Sequence, residues 1–171
     1  SSFPHGVKNP KNLAINDIVL VDTGCQLYDY ISDITRTYIF GEADELQRKI
    51  WNIEKEIQLA VFNASVLNTT CGAIDDASRV VLEANSLGPD YKLPGLPHRT
   101  GHGIGLDIHE YPYIVRGDNT KLEVGMTFSN EPMICVPNKF GIRLEDHIYM
   151  AAEGPKWFTE LAHTIENPFN L

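Results

Sequence analysis

A chain of 171 residues is long enough to bury one substantial core, and its 43% hydrophobic and 22% charged composition is that of an ordinary folded domain. Its apolar runs, such as Ile18 to Val21, are far too short to span a bilayer, and a net charge of −9 excludes the basic stripe of a nucleic-acid binder while suiting cations. The cysteines Cys25, Cys71 and Cys135 are odd in number and widely spaced; they read as reduced thiols, which places the chain in the cytoplasm and argues against a zinc-thiolate site.

The opening segment SSFPHGVKNPKN has no initiator Met, no basic n-region and no apolar h-region, so an upstream part is expected before it. Asp17 to Asp22 is a β-branched apolar run closed by Thr23-Gly24, and a second strand is expected over about Leu27 to Phe40, stopped by Gly41; the two form an antiparallel pair. A long helix follows from Glu42 to about Leu67, because Leu46, Ile50, Ile53, Ile57 and Val61 recur at three- and four-residue steps. A second helix is expected from about Ile74 to Leu87, ended by Gly88-Pro89. Tyr91 to Gly105 reads as loop. Strands are expected at Gly105 to Glu110, Met126 to Cys135 and Gly141 to Met150, with one more near Trp157 to Leu161. Helices set between antiparallel strands give an α+β domain, and nothing within residues 1–171 marks a second one.

Four acids interrupt or close apolar strands: Asp22 in IVLVD, Asp33 in YISDITRTY, Glu131 in TFSNEPMI and Glu145 in GIRLED. A carboxylate in such a half-buried place is costly unless it is paired or binds a metal. Three of the six histidines crowd into HRTGHGIGLDIHE, and one of them would complete a set of Asp, Asp, His, Glu, Glu. Two divalent ions would balance four carboxylates and leave room for a shared hydroxide as nucleophile; an oxygen-rich set with one imidazole fits Mn2+ best, with Co2+, Zn2+ or Fe2+ as alternatives. The glycines of HRTGHGIGLDIHE do not match a dinucleotide loop, and Tyr113 stands where a zincin motif would need histidine. Those glycines are expected to give clearance beneath a crowded metal pocket.

The blocks PHG, VDTG, SDITRT, HRTGHGIGLDIHE, NEP and GIRLED, in this order, resemble the metallopeptidases of the pita-bread fold, which include methionine aminopeptidase, aminopeptidase P and prolidase, with creatinase as a relative. They most resemble the Xaa-Pro branch, over nearly the whole chain from Phe3 to about Met150. The resemblance implies a dinuclear-metal hydrolase that cleaves Xaa-Pro bonds with a metal-bridging hydroxide, as an aminopeptidase or a dipeptidase. It implies Asp22, Asp33, His102, Glu131 and Glu145 as metal ligands, with Asp33 and Glu145 bridging and Glu131 also the general base. It further implies His5, His98, His109 and Arg143 as substrate-facing residues. One of His98 and His109 would bond the substrate carbonyl and the other the substrate or leaving group, and Thr35 would support a ligand carboxylate. Asp146, alternating with Glu145, should face away from the site, and His147 and His163 have no motif behind them.

Relatives of this branch begin well before the PHG block, so residues 1–171 are expected to be a partial catalytic pita-bread domain lacking its first helices and strand, with apolar surface left uncovered. A proline-containing peptide is the expected partner, with no nucleic acid or membrane, and the full-length form is expected to be a homodimer. Two rival readings stay open: hydrolysis of a non-peptide amide, as in creatinase-like relatives, and a non-catalytic pita-bread binding module.

Overall fold

The computed structural model describes residues 8–171. Strand β1 (Asp17–Thr23) pairs antiparallel with β4 (Ile34–Phe40), placing Asp22 opposite Thr35. The single strand expected over Leu27 to Phe40 is instead three pieces. A short hairpin of β2 (Gln26–Leu27) and β3 (Tyr30–Ile31) precedes β4, because Tyr28 and Asp29 take left-handed backbone with φ of 50° and 68°.

Helix α1 (Glu45–Ala64) starts later than its apolar period suggests, since Asp44 caps it. The Asp44 carboxylate accepts the Gln47 backbone N–H at 2.7 Å, and the Gln47 side chain accepts the Asp44 N–H at 2.8 Å. Helix α2 (Cys71–Ala84) starts earlier than expected, because Thr70 serves as its cap. The two helices pack on each other, and α1 lies against the strands that carry the second half of the chain.

Those strands are β5 (Gly101–Gly103), β6 (Glu110–Ile114), β7 (Thr127–Asn130), β8 (Met133–Val136), β9 (Phe140–Arg143), β10 (Asp146–Ala151) and β11 (Gly154–Trp157). Five form one antiparallel sheet in the order β11-β10-β7-β5-β6, while β8 and β9 pair as a separate ribbon. The stretches expected as single strands, Met126 to Cys135 and Gly141 to Met150, are each broken in two. Ile50, Ile53, Ile57 and Val61 are buried as their spacing predicts, against Phe128, Ile134, Ile142 and Ile148. Asp146 faces away from Glu145: Arg36 grips both of its oxygens, at 2.7 and 3.2 Å, and Gln58 and Thr159 also donate to it.

One buried acid on α1 escaped the sequence reading. Glu54 is fully buried among core residues, and both carboxylate oxygens lack a hydrogen-bond partner among the described residues. Burial pushes its carboxyl well above the usual value of 4.5. Between the unfolded and folded values the native state holds the extra proton, so this group's contribution to stability falls as pH rises. The Glu54→Gln protein is therefore expected to gain thermal stability relative to wild type on going from pH 5 to pH 8, by roughly 3–5 °C per pH unit. Melting curves of both proteins at the two pH values check this; a difference that does not change with pH contradicts it.

Candidate metal centre

Strand breaks fall at three of the four acids, while Asp22 is the penultimate residue of β1. Asp33 lies between β3 and β4, Glu131 between β7 and β8, and Glu145 between β9 and β10. Inside a regular strand the faces alternate strictly, whereas a break frees one side chain to be aimed independently. At Glu131 the cause is local, since Pro132 has no N–H to continue the β7 ladder.

These side chains converge on β5. Ligand atoms of Asp33, His102 and Glu145 all lie within 4.8 Å of one another. Glu131 Oε1 stands 3.2 Å from His102 Nε2, without the alignment of a hydrogen bond. Asp22 joins the group through Asp33 and through a contact with Arg143. The Arg143 guanidinium also lies 3.6 Å from Glu131 and 3.8 Å from Glu145. Thr35, fully buried, donates to Glu145 Oε2 at 2.7 Å and accepts from Arg143 Nε at 2.9 Å.

One arginine among four carboxylates leaves the cluster short of positive charge, and the acids respond by holding protons. Burial, then the neighbouring Asp22, raises Asp33 to about 7; burial raises Glu131 to about 7; and burial, then Glu131 and Asp33, lifts Glu145 well above its ordinary range. His102 Nδ1 lies 3.0 Å from the Gly103 carbonyl, an acceptor only, so Nδ1 carries the proton and Nε2 keeps a lone pair. Burial lowers His102 to about 4, so the ring is neutral. His102 Nε2 and Glu145 Oε1 are buried without a hydrogen-bond partner. Orphaned acceptors facing carboxylates are what divalent cations would satisfy, so these residues fit such ions.

His98 and His109 line the same cavity, of about 900 Å³. His109 packs edge-on against His102, with ring centroids 4.3 Å apart. His98 Nδ1 lies 2.6 Å from the Arg99 carbonyl, which fixes the proton there, and burial lowers this ring to about 4. Its Nε2 is thus an acceptor. His5 lies outside the described residues. His163 sits on the surface beside Glu160.

Three supports were missed by sequence reasoning. His147 Nε2 accepts the Asp33 backbone N–H at 3.2 Å. Asp75 accepts both the N–H and the hydroxyl of Thr100, at 3.0 and 2.6 Å, and pairs with Arg79. Arg79 in turn donates to the carbonyls of Asp90, Leu96 and His98, pinning the loop that carries His98. The available signal was two charged residues at i and i+4 on the apolar face of α2. The glycines also differ from expectation. A Cβ on Gly101 would lie 2.0 Å from the Ser129 carbonyl oxygen, and one on Gly103 2.6 Å from that of Glu110. They let β5 lie between β6 and β7, and their clearance is against sheet backbone.

Comparison with known proteins identifies the family. The model of metallopeptidase family M24 matches residues 1–152. The Xaa-Pro dipeptidase of Pyrococcus furiosus is 37% identical over 160 residues, covering 94% of this chain and 44% of that protein. The solved prolidase of Pyrococcus furiosus superposes with a TM-score of 0.86 at 36% identity, over 95% of this chain and 47% of that one. A dipeptidase PepE structure from Mycobacterium ulcerans gives 0.87 at 36% identity, over 96% and 43%. The methionine aminopeptidase of Rickettsia prowazekii, 24% identical with a TM-score of 0.78 over 91% of this chain and 69% of that one, shares the fold. The chain thus spans less than half the length of the Xaa-Pro dipeptidases it matches, and it belongs to the metallopeptidase family M24, with the pita-bread fold of that family.

Proposed function

We propose that the full-length protein is a Xaa-Pro exopeptidase of the cytoplasm, homodimeric, whose catalytic domain includes residues 1–171 and holds two divalent ions, Mn2+ by choice of donors. Asp22, Asp33, His102, Glu131 and Glu145 would hold them, with Asp33 and Glu145 shared. The observation that carries this is the pair of orphaned atoms, His102 Nε2 and Glu145 Oε1, set among acids that share ion-pair contact with one arginine, Arg143. Relatives named Xaa-Pro dipeptidase supply the substrate class. When bound, the ions would neutralise the carboxylates and acidify a water for attack on the carbonyl before proline.

The chain's own residues divide the remaining work. Glu131 takes the proton from the attacking water and returns it to the proline nitrogen as the amide bond breaks. A carbonyl needs a donor, and His98 offers only an acceptor at neutral pH, so His109 is the residue that bonds the substrate carbonyl. His98 accepts an N–H from the peptide, and His5 contacts it from the PHG block. Thr35 and His147 hold Glu145 and the Asp33 backbone in place.

The full-length protein with Mn2+ is expected to hydrolyse Ala-Pro or Ala-Pro-Ala, and to lose that activity with a chelator; cleavage of neither peptide overturns the reading. His102→Ala is expected to lower metal content, whereas His98→Ala and His109→Ala lower kcat by roughly 100-fold or more and leave metal in place; equal metal loss in all three would refute this division. Mn2+ binding at pH 6.5 must displace protons held by Asp33 and Glu131, which are largely ionised by pH 8.5. Calorimetric titrations in buffers of different ionisation enthalpy should therefore show greater proton release at pH 6.5 than at pH 8.5, and equal release would contradict the charge account.

A further inference from the structure

Tyr91 is a large aromatic residue held firmly in place without belonging to the hydrophobic core. It stands in the loop between α2 and β5, lines the same cavity as His98, and is 43% exposed. The loop beneath it is fastened from both sides. Arg79, itself buried, lies 4.3 Å from the centroid of the Tyr91 ring and donates to the Asp90 carbonyl at 2.8 Å. Arg116 pairs with Asp90 and with Asp76 of α2, which ties this loop to the turn after β6. The tie brings in Val115, the neighbour of Arg116 and a second apolar residue of the cavity wall. The Gly88 N–H donates to the Pro94 carbonyl at 2.8 Å and closes the loop at its base. A ring mounted in this way offers apolar area with little side-chain entropy left to lose on binding.

Arg79 also relates the ring to the chemistry. The guanidinium that carries Tyr91 donates to the His98 carbonyl at 2.7 Å, so Tyr91 stands on the His98 side of the cavity. His98 Nε2 is an acceptor, and two kinds of peptide donor can meet it, the terminal ammonium or a neutral backbone N–H. The charges of Arg143, Arg79 and Arg99 all act on the His98 ring, so an ammonium is repelled there and a neutral N–H is favoured. Proline has no N–H, so the first neutral backbone N–H of a Xaa-Pro peptide belongs to the residue after proline. We propose that Tyr91, together with Val115, receives the side chain of the residue after proline and selects apolar side chains at that position. The inference rests on the reading of the site as a Xaa-Pro exopeptidase. It makes peptides of three or more residues the better substrates, because a dipeptide leaves both the Tyr91 ring and His98 Nε2 without contact.

The test uses the full-length, Mn2+-loaded protein with two variants, Tyr91→Ser, which removes the ring, and Tyr91→Phe, which keeps it. Substrates are Ala-Pro-Leu, Ala-Pro-Gly and Leu-Pro-Gly. Wild type is expected to favour Ala-Pro-Leu over Ala-Pro-Gly by roughly 10-fold in kcat/KM, mostly through KM, as a few methylenes in a half-open apolar subsite allow. Tyr91→Ser should cut that ratio to about 2, whereas Tyr91→Phe should preserve it. No preference in wild type, or a ratio that Tyr91→Ser leaves as it was, overturns the proposal. A change confined to the ratio of Leu-Pro-Gly to Ala-Pro-Gly also overturns it, by placing the ring beside the residue before proline. Calorimetric binding of Pro-Leu and Pro-Gly to the same proteins gives a readout free of turnover. Tighter binding of Pro-Leu that depends on the ring, without cleavage of any Xaa-Pro peptide, keeps the subsite and defeats the exopeptidase reading. Cleavage with a preference indifferent to Tyr91 does the reverse.

Discussion

Mutual repulsion of Asp22, Asp33, Glu131 and Glu145 is the constraint around which the rest of the molecule is arranged. Three of the acids line one cavity with Glu145 buried behind them, and Arg143 is the cation in ion-pair contact with Asp22, Glu131 and Glu145. Burial first, and the neighbouring carboxylates after it, raise Asp33, Glu131 and Glu145, so the cluster holds protons where further positive charge is lacking. The same repulsion makes the site receptive, because each proton held there is a position a divalent cation can claim.

Holding such a cluster open requires rigidity behind it, and the structure provides this with satisfied polar pairs outside the cavity. Arg36 and Asp146 lock the strand that follows Glu145, and Asp75 and Arg79 lock the loop entering β5. Breaking either pair would strand a buried charge, which costs about 3–5 kcal/mol. Thr35 links two of the acids, since it sits opposite Asp22 in the β1–β4 register and donates directly to Glu145. The strand breaks therefore work together with the fixed neighbours: the breaks aim the acids, and the neighbours keep them aimed.

Much of this was legible in the sequence, for local reasons. The stripe Ile50, Ile53, Ile57, Val61 reveals α1 because helical period is a property of neighbours, and those four are buried. The acids stood out because a carboxylate in an apolar run is anomalous wherever the run ends up. The antiparallel pairing of β1 with β4 and the outward turn of Asp146 also follow from simple alternation. Breaks at Asp33 and Glu145 were not legible, since strand ends there are set by tertiary pairing. The capping box is legible in the spacing of Asp44 and Gln47. Glu54 lies four residues after Ile50, within the apolar stripe, a signal passed over because a helical glutamate is ordinarily solvated.

The central claim is that this carboxylate cluster is a two-cation site. The most direct measurement is a crystal structure of the full-length protein soaked with Mn2+, with data collected for the metal's anomalous signal. Two peaks are expected between Asp33 and Glu145, one beside Asp22 and the other beside His102 and Glu131. A map with no peak among these residues, or with cations bound only elsewhere on the acidic surface, would contradict it.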